Sequence, residues 1–237
     1  MRRFNFIYVL FGLAIWILST GCPQIKDIID PPPDTTAGDT LWIHEMVGTD
    51  SLFMLHSLAL GHNGYVYYGV GGGTLHWTAA RIRALNPDNG NMVWESERMD
   101  NIGINSEIMV DDDGTVYALG AYKLYAFDGN TGATKWIWEV PQTLPNPDNP
   151  TQDIYTYGTA GQLALTDDGN ILTSTSGSGV YSRCIYLINK FGDKVFHNLN
   201  ANGWGVEGPF AIGKNNMAYY YSRNINSNNL GMRVVAL

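Results

Sequence analysis

Three groups of residues in this sequence have types that could do chemistry. They are Asp111-Asp-Asp-Gly114 with Asp167-Asp-Gly169, the five histidines, and the lone internal cysteine, Cys184. Clustered carboxylates suggest calcium. A calcium loop wraps oxygen ligands over about a dozen residues and closes with a bidentate carboxylate, but Gly114 is followed by Thr-Val-Tyr-Ala-Leu119. Asp167-Asp-Gly169 fills the same slot of a later unit, so both segments read as hairpin turns. Histidines 44, 56, 62, 76 and 197 fall at no metal-ligand spacing, and no His-Glu-x-x-His or Cys-x-x-Cys occurs. Gly69-Val-Gly-Gly-Gly73 lacks the helix N-terminus that a phosphate loop needs behind it. Thr173-Ser-Thr-Ser-Gly-Ser-Gly179 is not a nucleophile elbow. Cys184, at the start of a strand, reads as a small core hydrophobe. The expectation is no catalytic, cofactor-binding or metal residue.

The elements around these residues explain them better. From residue 39 to residue 237 the chain is rich in Gly, Asn, Tyr and β-branched residues, in short alternating runs separated by turn signals. A hairpin recurs four times, at Ser57–Tyr68, Glu107–Leu119, Gln162–Ser174 and Phe210–Tyr220, turning at Gly64, Gly114, Gly169 and Asn216. Glycine, and to a lesser degree asparagine, tolerates the positive φ of such turns. A second phrase follows in register: Gly38-Asp-Thr-Leu-Trp42, Gly90-Asn-Met-Val-Trp94, Gly132-Ala-Thr-Lys-Trp136 and Gly192-Asp-Lys-Val-Phe196. Three of its copies follow a strand-like run and a turn. Four strands repeated every 47 to 55 residues predict an all-β fold, a β-propeller of four-stranded antiparallel blades with about four blade-like units. Proline-bearing Val140–Tyr157 is expected to be a connecting loop.

Ala84-Leu-Asn-Pro-Asp-Asn-Gly90 with Trp94, and Ala126-Phe-Asp-Gly-Asn-Thr-Gly132 with Trp136, resemble the repeat of quinoprotein-dehydrogenase-type (PQQ-like) propellers. The resemblance implies that the phrase joins the outer two strands of a blade and that its aromatic docks between neighbouring blades. Gly38, Trp42, Gly90, Trp94, Gly132, Trp136, Gly192 and Phe196 are therefore expected to be structural. The final Arg233-Val-Val-Ala-Leu237 matches the run that elsewhere precedes the phrase. The ring is thus expected to be incomplete, the first part of a longer protein, since such propellers have seven or eight blades. The alternative is a small ring closed by Gly38–Trp42. Members that hold a quinone stack it on an adjacent-cysteine disulfide, and this sequence has no Cys-Cys pair.

The N-terminus carries a separate message. Arg2 and Arg3 precede an apolar run, Phe6–Leu18, shorter than the ~20 residues of a membrane span. Leu18-Ser-Thr-Gly-Cys22 resembles a bacterial lipobox, with the aliphatic residue one place early. Residues 1–21 are expected to be a lipoprotein signal peptide, Cys22 the lipidated N-terminus, and 22–38 a Pro-rich tether. Removing Arg2 and Arg3 takes the net charge from −8 to about −10. That argues against nucleic acid and against docking to anionic headgroups, so membrane attachment is expected through the lipid alone. The expected function is a non-catalytic protein-binding scaffold in the bacterial cell envelope, like the propeller lipoprotein that assists outer-membrane β-barrel assembly. Carbohydrate binding, suited to the many Tyr and Trp, and an N-terminal fragment of a quinone-dependent enzyme stand as alternatives.

Overall fold

A computed structural model describes residues 40–45, 56–71, 80–99, 104, 106–146, 149, 151–156, 158–175, 184–199, 204–224 and 232–237. The expected signal peptide, Cys22, the expected tether and Gly38 lie outside them. The chain divides into two compact units, Met1–Ile43 and His44–Leu237. Of the first, only Thr40–Ile43 is described, and it carries no strand.

The second unit is an array of antiparallel sheets. The first contains β1 (His56–Leu60), β2 (Val66–Val70), β3 (Arg81–Leu85) and β4 (Met92–Glu95). The second contains β5 (Met109–Val110), β6 (Thr115–Leu119), β7 (Lys123–Asp128) and β8 (Thr134–Glu139). A hairpin of β9 (Thr143–Pro145) and β10 (Asp153–Tyr155) intervenes. The third sheet holds β11 (Thr159–Leu165), β12 (Ile171–Thr175), β13 (Cys184–Ile188) and β14 (Lys194–Leu199). The fourth has three strands, β15 (Trp204–Ile212), β16 (Ala218–Asn224) and β17 (Met232–Ala236). In each sheet, strand order follows sequence order, which makes every sheet an up-and-down meander. Among the described residues no sheet joins the first blade to the last, and they form an incomplete propeller of four blade-like units. No helix among the described residues is long and apolar enough to cross a membrane.

The hairpin β9–β10 departs from the loop expected for Val140–Tyr157. Pro145 sits at the last residue of its strand, where a two-stranded ribbon tolerates a missing N–H. Buried Leu144 joins the core between the second and third sheets and holds the ribbon down.

The core is divided among the seams between sheets. Val116, Ala118, Tyr125 and Phe127 pack against Tyr67, Ile82 and Ala84 of the first sheet. Their immediate neighbours Tyr117, Leu119, Leu124 and Ala126 pack against Leu163, Ile171 and Tyr186 of the third. Successive strand residues point to opposite faces, so β6 and β12 are buried at all five positions. A third seam joins Leu172 and Ile185 to Phe210, Ala218 and Tyr220.

The outer strands share one irregularity. Trp94 pairs with Ala84 and Met92 with Leu85, which leaves Val93 as an extra residue. Lys135 and Val195 occupy the same place in the next two sheets. The residue before each aromatic is thus a β-bulge that turns the aromatic toward the next sheet. Truncating Leu124 to Ala, in a filled seam, is expected to cost about 2–5 kcal/mol in urea unfolding. Ile137→Ala on an exposed outer strand should stay within about 0.5 kcal/mol.

Candidate functional site

The aromatic of one phrase lands on the glycine of the next. A Cβ placed on Gly132 would stand 2.5 Å from Trp94 Cε3, and one on Gly192 would stand 2.9 Å from Trp136 Cδ2. Both glycines also hold positive φ, so two independent constraints select glycine there. The Trp94 indole N–H donates to the Gly129 carbonyl at 2.9 Å. The Trp136 indole N–H donates to the Lys190 carbonyl at 2.8 Å. Each of those carbonyls belongs to the turn of the following sheet. The ring is further fixed by a tyrosine three residues past the hairpin glycine: Tyr67 lies 5.7 Å from Trp94 and Tyr117 lies 5.8 Å from Trp136. The Tyr67 hydroxyl donates to the same Gly129 carbonyl at 2.9 Å.

The remaining phrase residues differ. Phe196 has no N–H to donate, and no described glycine lies beneath its ring. Trp42 is half-buried within the first unit. Gly90 adopts positive φ, and its carbonyl lies 3.0 Å from His44 Nδ1. A carbonyl only accepts, so Nδ1 donates there and Nε2 accepts from the Tyr68 hydroxyl at 3.0 Å. His44 is therefore a strut against the first sheet. His197 stacks on Tyr186 at 5.8 Å. The side chain of His56 and all of His76 fall outside the described residues. Cys184 is buried, and burial pushes its thiol up to about 11, leaving it protonated and inert at neutral pH.

The hairpin turns align and tie to one another. His62 Nε2 lies 3.2 Å from Asp112, Lys190 pairs with Asp113 at 3.2 Å, and Asn216 accepts the Asp167 N–H at 2.8 Å. Between the second and third turns opens a groove of about 390 Å³, lined by Asp111, Asp112, Asp113, Asp167, Asp168 and Lys190 among others. Asp111 is committed to its own hairpin. It accepts the Thr115 N–H at 2.7 Å and the Tyr117 hydroxyl at 2.8 Å. Burial and then the Asp111 carboxylate raise the Tyr117 pKa, which keeps that hydroxyl a donor. Five carboxylates against one ammonium leave the groove strongly negative, a surface that steers cationic partners. Sequence reasoning saw each acidic turn singly and missed the groove, because the turns lie 55 residues apart and only the seam brings them together. No group of three or more potential metal-ligating residues occurs among the described residues.

Two measurements follow from the seam. Gly114 and Gly132 share nearly the same φ, +77° and +74°, yet a Cβ at Gly114 meets nothing within 4 Å. Gly132→Ala should therefore cost about 1–3 kcal/mol more than Gly114→Ala in chemical denaturation, the increment isolating the clash with Trp94. Asp128 caps the turn that carries Gly132. Partial burial raises its pKa, but hydrogen bonds from the Thr131 hydroxyl and the Asn130 and Thr131 N–H groups outweigh that and hold it below the usual carboxylate value. The stability this supplies is complete above the unfolded value of about 3.9. It is lost as pH falls through the lower folded value. Asp128→Asn should flatten that part of the acid-denaturation curve.

Residues 78–177 match a family model described as PQQ_2, outer membrane protein assembly factor BamB. Among solved structures, the chain is similar to the computationally designed protein Ika8 at 12% identity and TM-score 0.52, covering 77% of this chain and 46% of that one. It is similar to the hydrazine synthase of Kuenenia stuttgartiensis at 13% identity and TM-score 0.51, covering 76% and 45%. BamB from Moraxella catarrhalis matches at 13% identity and TM-score 0.48, covering 77% and 49%. The chain spans about half the length of each of these structures, and at such identities the likeness is one of fold. No protein of curated function matches. The phrase, the docked tryptophans and the match of residues 78–177, which runs from β3 to β12, support a β-propeller built of PQQ-like repeats.

Proposed function

We propose that this chain is a non-catalytic, lipid-anchored β-propeller that serves as a protein-binding scaffold in the bacterial cell envelope. The observation that carries this reading is the match of residues 78–177 to a family described as an outer-membrane assembly factor. The lipobox-like Leu18–Cys22 supplies the anchor, with residues 1–21 removed, Cys22 acylated and 22–38 as tether to the repeats of 39–237. The chemistry of the blades agrees with a scaffold. The repeated Gly, Trp and Tyr residues are engaged in seams, and Cys184 is buried. The negative groove between the second and third hairpin turns is the face suited to a basic segment of a partner.

Replacing Asp112, Asp113, Asp167 and Asp168 together by Asn tests the face. All four line the groove, and none belongs to the apolar core of a seam. Affinity capture from solubilised envelopes is expected to retain partners on the natural chain and to lose them, or to lose their salt sensitivity, on the variant. Globomycin treatment should leave the precursor unprocessed at Cys22. Recovery of glycans in place of proteins would replace the scaffold with the carbohydrate reading.

A further inference from the structure

The repeating unit has no place for the ribbon of β9 and β10. The third sheet passes to the fourth over a short gap, from Leu199 to Trp204, whereas the second passes to the third from Glu139 to Thr159. The extra length holds the ribbon. An insertion that the stacking of repeats does not require is where repeat proteins commonly carry binding surface. Each sheet is a meander, so the ribbon leaves β8 and enters β11 at the end of the sheets opposite to the β5–β6 and β11–β12 turns. Those turns line the acidic groove, which makes the ribbon a separate surface. Both roots of the insertion are clamped to one turn. The Val140 N–H donates to the Tyr122 carbonyl at 2.8 Å, and the Thr159 N–H donates to the Ala121 carbonyl at 2.7 Å. The Thr159 hydroxyl donates to the Gly120 carbonyl at 2.7 Å, and the Thr156 hydroxyl to the Pro141 carbonyl. Leu144 and Thr156 are buried on the inner face of the ribbon. Thr143, Pro145, Asp153 and Tyr155 are exposed on the other face, Tyr155 at 66%. The arm is thus preorganised, which lowers the ordering cost of binding to it.

The two edges of the ribbon differ. The Thr156 N–H donates to the Gln142 carbonyl at 3.0 Å. Hydrogen-bonded pairs alternate along an antiparallel ladder, so Ile154 with Leu144 is the next such pair in this register. The backbone groups of Thr143, Pro145, Asp153 and Tyr155 therefore point away from the partner strand. Pro145 has no N–H to offer, and a proline at that position blunts the edge of β9. β10 presents both a donor and an acceptor at Asp153 and again at Tyr155. No strand lies on its far side among the described residues.

We propose that β10 is a docking edge for an extended segment of another protein, which adds to the ribbon as a third strand. Main-chain hydrogen bonds hold such a segment, and its alternate side chains select it. Residues opposite Asp153 and Tyr155 stand two apart on the incoming strand and share the exposed face of the ribbon. A cation suits Asp153, against which no cationic side chain is paired among the described residues. An apolar side chain suits the Tyr155 ring as a cross-strand neighbour. The segment is therefore one in which Lys or Arg and an apolar residue stand two apart. This goes beyond the scaffold reading, and it stands on the ribbon whether or not the groove captures a partner.

The probe is the peptide Thr-Val-Thr-Lys-Thr-Val-Thr, in which either strand direction sets Val against Tyr155 when Lys meets Asp153. Amide hydrogen exchange of the full chain, resolved by NMR, is the readout. The Asp153 and Tyr155 amides are expected to exchange freely in the chain alone and at least tenfold more slowly with the peptide bound. The fully N-methylated peptide keeps the charge and the side chains but cannot donate, and its dissociation constant should be at least tenfold higher. Asp153→Lys should weaken binding of the natural peptide at least fivefold. Tyr155→Pro removes one donor from the edge and none from the ribbon ladder, so binding should fall while slow exchange at Thr156 reports an intact ribbon. The fourfold Asn variant of the groove should bind the peptide as the natural chain does. No slowing at either amide, equal binding of the N-methylated peptide, or an intact ribbon indifferent to both substitutions would overturn the proposal. Protection in the chain alone that grows with protein concentration would put a second copy on the edge and overturn it too.

Discussion

The structure depends on one contact, a tryptophan lying flat on a glycine of the next sheet. Meanders of three or four strands cannot bury both faces alone, and each must find a neighbour on each side. The contact makes that neighbour unique. The ring needs a site without a Cβ, the indole N–H needs a carbonyl at about 2.8 or 2.9 Å, and both belong to one turn of the following sheet. A sheet displaced along the seam would lose the hydrogen bond and meet a side chain where the glycine should be. The Asn or Asp side chain that opens each turn is part of the same device. Asn86, Asp128 and Asn189 each accept backbone N–H groups of their turn, which fixes where the glycine stands.

Order in the seam also explains where charge can gather. Because consecutive hairpin turns are held side by side, their acidic residues meet at one surface. The like charges are tolerated because two of them have partners, Asp112 with His62 and Asp113 with Lys190. Asp111 satisfies its own hairpin. These exposed pairs are worth little individually. Their consequence is geometric, since they link one blade's turn to the next at the rim while the aromatic docks below.

Much of the fold was legible in particular residues. The hairpin glycines have the left-handed φ that their turns require, and Asn216, the one substitution, adopts it too at 59°. Other features were hidden for definable reasons. The short β9–β10 ribbon lies in a proline-bearing segment, and it forms because Leu144 finds a place in a neighbouring core. The bulge before each aromatic leaves no mark in a four-letter phrase, because Val93, Lys135 and Val195 have nothing in common except their backbone. The phrase also concealed its own logic. Its Gly and Trp look like partners within one copy, whereas Trp94 and Trp136 each pair with the Gly of the copy that follows.

The sequence by itself determined the repeating unit, its period, the turn chemistry and the residue types of the seam, because these follow from local backbone preferences and from side-chain size. Tertiary structure decided which copies meet. It alone brought Asp111–Asp113 to Asp167 and Asp168, buried Leu163 while exposing the equivalent Leu58, and left the outer edge of β17 without a fourth strand among the described residues. The reason is that a repeat specifies an interface without specifying its ends. Identical local signals become core or surface only when a neighbouring sheet covers them or does not.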